Sequence, residues 1–188
     1  MDNARETYIP LEVVGVTTGT TLTDACMLLM REQTGLRRHF TVLVRKEEYN
    51  RMKSAMEQKD FSSTRLMTKL AGVFSIEVKI IQICYVPGGK FSARICLGMG
   101  DEERMMGTEV ATAVLLALET GKAVNIRREE FDRLYMGESP DGEVKIPLPS
   151  MQTELLNQAL ELAVQEENFE LASQLRDELR NRKIGGIA

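Results

Sequence analysis

Few side chains in this sequence could do chemistry, and they are poorly grouped. His39 is the sole histidine and follows Arg37 and Arg38. A histidine beside cations could act as general base in phosphodiester hydrolysis, with guanidinium groups clamping the phosphate. The plainer reading is a solvated histidine on the polar face of a strand. Asp101, Glu102 and Glu103 are the longest acidic run. They fall where a turn is expected, and adjacent acids on a turn point apart, so they read as a solvated loop. No metal ligand set is read from the sequence, and no catalytic residue is assigned. Cys26, Cys84 and Cys96 sit in apolar runs without a CxxC pair. They read as small buried hydrophobes of a reducing cytosol. The "PGGK" stretch at 87–90 lacks the strand-to-helix setting of a phosphate loop.

Charge offers a second lead. The net charge is −4, but residues 37–69 hold nine Lys or Arg against four acids. Such a patch can hold nucleic-acid phosphates, and Arg37, Arg38, Arg45, Lys46, Arg51 and Lys53 are the candidates for DNA or RNA. The competing reading is a solvated helix face balanced by acids from elsewhere.

The elements that must position these residues follow from periodicity. "YIPLEVVGVTT" (8–18) is rich in β-branched residues and reads as a strand. "TLTDACMLLMRE" (21–32) is apolar on both faces and reads as a central strand. "EQTG" turns the chain, with Gly35 free to take a positive φ. "LRRHFTVLV" (36–44) then alternates. Leu36, Phe40, Val42 and Val44 are expected on one face, and Arg37, His39 and Thr41 on the other. Helical spacing predicts helices over 46–58 and 62–73, the second capped by Ser62 or Ser63. Two strands, 76–86 and 90–99, flank "PGG" as a hairpin, and "DEER" turns again. The stretch 107–121 predicts a helix capped by Gly107 or Thr108. "KAVNI" reads as a short strand and "RREEFDRLYM" as a helical turn or two. The eleven methionines read as adaptable core filling.

Pro140, Pro147 and Pro149 mark a linker, placing a first domain at 1–138, a linker at 139–150 and a last unit at 151–188. The "EVKI" inside the linker could add an edge strand. Beyond it, Ser150 can cap a helix whose Leu155, Leu156, Ala159, Leu160 and Ala163 form one apolar stripe. "QEEN" interrupts, Asn168 can cap a second helix, and Phe169, Ala172, Leu175 and Leu179 form its stripe. Glu178 and Arg182 stand at i, i+4. Each helix is too short to be stable alone. The pair must bury its stripes against each other and against something else, as a docking module would.

Two resemblances sharpen this. The pattern L-x-x-A-L-x-x-A-V from Leu156, followed by E-x-F-E-x-A-S-x-L-R-D-E-L from Glu167, resembles the UVR motif, a helical hairpin found in UvrB, UvrC and some Clp ATPases and their adaptors. The resemblance implies protein–protein contact through Phe169, Ala172, Leu175, Arg176 and Asp177. The partner would be another UVR-type hairpin, including one from a second copy of the chain. The preceding part resembles the bifunctional nuclease domain family through "LEVVGV", "ACMLLMREQTGLRRHFTVLV", "STRLMTKLAGVFSIEVKIIQICYVPGGKFSARICL" and "VATAVLLALETGKAVNI". That implies an α+β fold, a mixed or antiparallel sheet with packed helices, and DNase and RNase activity; a divalent metal would be the cofactor if the chain is an active nuclease. At His39–Val44, Ser63–Arg65 and Glu109–Ala113 the residues differ from that family's polar signature.

The expectation is therefore an α+β domain followed by a C-terminal α-helical hairpin. The function is that of a nuclease-family protein carrying a UVR interaction motif. The alternative is a non-enzymatic adaptor that recruits a UVR-containing or Clp-type partner. The polar start "MDNARETY" and the shortness of the apolar runs predict a cytoplasmic protein with no membrane span, and the adaptor reading, with an oligomerising first domain, implies a homo-oligomer.

Overall fold

A computed structural model describes residues 7–18, 25–86, 88–135 and 147–185. Seven strands form one mixed sheet: β1 (Tyr8–Thr18), β2 (Cys26–Glu32), β3 (His39–Val44), β4 (Ile76–Val86), β5 (Lys90–Met99), β6 (Glu102–Thr108) and β7 (Val124–Arg127). Their order is β3-β2-β1-β7-β4-β5-β6. Every neighbouring pair is antiparallel except β4 with β7, where Ile81 lies opposite Val124 in a parallel pairing. The α+β expectation for the first part matches this architecture.

The sheet curls. Phe40 of β3 meets Phe91 of β5 edge to face at 6.3 Å, although four strands separate them in the order. The curl encloses one apolar core. Leu28, Met30, Phe40 and Val42 enter it from one end of the sheet and Ile81, Ile83, Ala93 and Ile95 from the other. Helix α1 (Lys46–Gln58) contributes Met52. Helix α3 (Val110–Thr120) adds Val110, Ala111, Ala113, Val114 and Ala117, and α4 (Arg128–Leu134) adds Phe131 and Leu134. The small residues of α3 let its backbone lie close to the sheet.

Helix α2 (Ser62–Val73) is different. Its Leu66, Met67, Leu70 and Val73, with Phe74 beyond, are exposed. Its apolar side faces outward, while Arg65 grips Glu119 of α3 at 2.9 and 3.2 Å.

Several local expectations need correction. The turn after β5 is confined to Gly100 and Asp101, and "EERMMGT" continues as β6. Helix α3 accordingly begins at Val110, with Glu109 in extended backbone at its N-cap, rather than at Gly107 or Thr108. Helix α2 has Phe61 at its N-cap, one residue before the expected serines. Thr41 is only 6% exposed rather than on a solvated face. Its β3 neighbour Leu43, on the same side of the strand, packs against the C-terminal helices, so that side is partly covered. Leu36 is exposed because β3 starts only at His39, leaving Leu36 in the turn. Gly35 has the expected positive φ, 77°. Thr21–Asp24, Pro87 and the "EVKI" stretch lie outside the described residues.

Candidate partner-docking hairpin

After Pro147, a 3₁₀ turn (Leu148–Ser150) precedes α5 (Thr153–Gln165) and α6 (Phe169–Gly185). Ser150 does not cap α5. Its hydroxyl donates to the Pro147 carbonyl at 2.7 Å, and Gln152 holds the N-cap position. The two helices pack through Leu156, Ala159 and Ala163 on one side and Ala172 and Leu175 on the other, with Met151 at the base. Alanines at the contact allow close approach, and each buried leucine contributes about 2 kcal/mol of transfer free energy.

The link is tight. Asn168 N–H donates to the Ala163 carbonyl at 2.8 Å, and Glu167 takes a positive φ of 56°. The Asn168 side chain accepts from the Leu171 N–H at 3.2 Å, the expected cap. At the other end, Arg182 ties the hairpin together. Its Nε donates to Glu178 at 2.9 Å, the expected i, i+4 pair. The same guanidinium reaches the Thr153 hydroxyl at 3.2 Å and the Leu148 and Pro149 carbonyls at 3.0 Å each.

The hairpin also sits on the sheet. The Tyr85 hydroxyl donates to the Pro149 carbonyl at 2.8 Å. Gly89 has φ 79° and lies so close to Met151 that a Cβ there would overlap its carbonyl. Tyr85 and Gly89 were not singled out in the sequence, and Arg182 was read only as the partner of Glu178, not as a ligand of the Leu148 and Pro149 carbonyls. "PGG" signalled only a turn, and nothing local reveals which backbone a glycine must admit.

The five expected docking residues divide. Phe169, first residue of α6, is 68% exposed. Arg176 and Asp177 are exposed too. Ala172 and Leu175 are buried between the helices, so they hold the hairpin together rather than face a partner. Among the described residues the hairpin's exposed large apolar side chains, Leu162, Val164 and Phe169, lie around the link.

Residues 152–183 match the UvrB/uvrC motif. The UVR match thus coincides with α5 and α6 and with the residues that close them. No match to a bifunctional nuclease domain was found. No curated protein matches the chain.

The basic stretch is extensively paired. Arg37 donates to Glu12 at 2.8 Å, and Arg31 shares the same carboxylate. Arg38 donates to buried Glu32 from Nε and a terminal nitrogen at 2.9 and 2.8 Å, and reaches Asp132 at 3.2 Å. Its guanidinium also lies 4.6 Å from the Phe131 ring centre and 5.0 Å from that of Tyr135. These hydrogen bonds hold the Glu32 carboxyl below the usual carboxylate range, against the opposing effect of burial. Arg45 and Arg51 both grip Glu109, at 2.8 and 3.1 Å, and this lowers the Glu109 pKa as well. Lys53 lies 3.9 Å from Glu57. Lys46 is exposed at the start of α1. Glu102 and Glu103 are successive residues of β6 and so point to opposite faces. Among the described residues no group of three or more His, Cys, Asp or Glu could hold a metal ion. Among them, too, no helix is long and apolar enough to cross a membrane.

Proposed function

We propose that the protein is an adaptor whose UVR hairpin docks onto a UVR-type hairpin of a partner. One observation carries the reading: Phe169 stands exposed, with Leu162 and Val164, at the link of a hairpin whose inner stripes are buried against each other. A large aromatic kept out of a finished core is the usual anchor of a docking surface. Arg176 and Asp177, of opposite sign on the same helix, can fix the partner's orientation. The nucleic-acid reading of Arg37, Arg38, Arg45, Arg51 and Lys53 receives less support, because each already faces a carboxylate.

Phe169→Ala tests the proposal. Truncating an anchor costs about 2 kcal/mol or more, roughly thirtyfold in affinity. The full chain and its Phe169→Ala form should be compared for capture of UVR-bearing proteins from a bacterial lysate, identified by mass spectrometry, with circular dichroism to verify equal helicity. The expected outcome is loss of those proteins with fold retained. Equal capture by both forms, or capture only of proteins lacking such a hairpin, refutes the reading.

A further inference from the structure

β6 closes one end of the sheet order and has no strand beyond it among the described residues. Glu102 to Gly107 are all exposed, and Thr108 partly so. Such an edge offers a row of unpaired N–H and C=O groups, which proteins usually shield with charged side chains, Lys above all, or with Pro, a bulge or a covering element. The charges of β6 are confined to Glu102, Glu103 and Arg104, it contains neither Pro nor Lys, and its register with β5 runs unbroken from Met99 opposite Glu102 to Ala93 opposite Thr108. It also carries two successive methionines, Met105 at 54% and Met106 at 47% exposure. Met105 shares a face with Cys96 and Ile80, and Ile80 is exposed as well.

We infer that β6 pairs antiparallel with β6 of a second copy, about a two-fold axis passing through Met105. A two-fold perpendicular to the sheet keeps each face on its own side, so a residue must lie opposite one of the same facing. Centring the axis on Met105 uses the whole strand. Glu102 then lies opposite Thr108, Glu103 opposite Gly107, Arg104 opposite Met106, and Met105 opposite itself. No like charges face each other. Moving the axis to Arg104 or to Glu103 sets that charge against its own copy, which is unfavourable. The charged half of the strand lies along the uncharged half of its partner, so a second copy can pair over the whole strand with no like-charge contact, and a second copy is the occupant we assign. The contact is isologous and closes as a dimer.

The test is the association state of the full chain, followed by sedimentation velocity in the Phe169→Ala background so that hairpin contacts do not contribute. A dimer is expected. Met105→Lys and Met105→Glu should each weaken it more than tenfold, because like charges meet at the axis. Mixing the two variants should restore the dimer, since residue 105 faces its own counterpart. As a check that leaves Met105 intact, Glu102→Cys mixed with Thr108→Cys should give a mixed disulfide-linked dimer on oxidation. A monomeric parent overturns the inference. So does a dimer that neither charge weakens, a loss that mixing does not repair, or the absence of the mixed disulfide.

Discussion

Arg38 was a candidate phosphate ligand, and it serves instead as the partner of a buried acid. It satisfies Glu32 with two side-chain bonds and lies against two aromatic rings. Removing its side chain leaves a carboxylate that is only 5% exposed without its charge partner, held by the residue-38 backbone N–H. Arg38→Ala should destabilise the chain by about 3 kcal/mol, read from urea unfolding. The pH dependence follows from Glu32. A carboxyl with a depressed folded-state pKa adds stability that is fully present above its unfolded value, and that stability is lost as pH falls through the folded value. The parent should therefore lose stability on acidification below about pH 4, and Glu32→Gln should lose less over that range. Equal acid slopes for the two forms would remove Glu32 from the account. The sequence displayed the cations but not this arrangement, because Arg38 and Asp132 are 94 positions apart and Arg45 and Glu109 are 64 apart.

The two amphipathic helices read with similar ease make opposite uses of their stripes. In α5 the stripe is buried, and Leu156 is fully enclosed. In α2 the stripe faces outward, with Leu70 at 53% exposure. Leu156→Ala should thus cost about 2–5 kcal/mol of hairpin stability, whereas Leu70→Ala should stay below about 1 kcal/mol. Differential scanning calorimetry of both variants separates the cases, and a large loss at Leu70 would mean that α2 is packed more deeply. Periodicity located both helices to within a residue or two but could not say which stripe finds a partner. The strands β1 to β5 were legible from β-branched and apolar runs, from alternation in β3 and from turn residues. β6 was not, since "EERMMGT" carries neither alternation nor a β-branched run, and only its continued pairing with β5 makes it a strand.

At the scale of the molecule the described residues form two apolar clusters, one inside the curled sheet and one between α5 and α6, with Leu43 reaching from β3 to the second. The first draws on every strand order neighbour from β3 to β5 and needs nothing from α5 or α6. We expect residues 1–149 to unfold cooperatively by themselves, with a sharp thermal transition by circular dichroism. A broad or absent transition would mean that the hairpin completes the core. The linker reading from the prolines puts the boundary at 139–150, and the thermal transition of 1–149 tests it. That reading did not anticipate that Tyr85, Gly89 and Arg182 meet at the chain just beyond Pro147.

That meeting point makes the hairpin a lever. The Pro149 carbonyl accepts from Tyr85 on the sheet and from Arg182 on α6, so one backbone oxygen serves as the pivot pin. Phe169 stands at the far end of the arm, about 20 Å along the helix from Arg182 at 1.5 Å per residue, and tilting the arm by about 10° would sweep that ring through about 3 Å. A load on the ring would transmit torque through Met151 to Gly89, and a methyl group added at Gly89 would push on Met151 from the opposite end without touching Phe169.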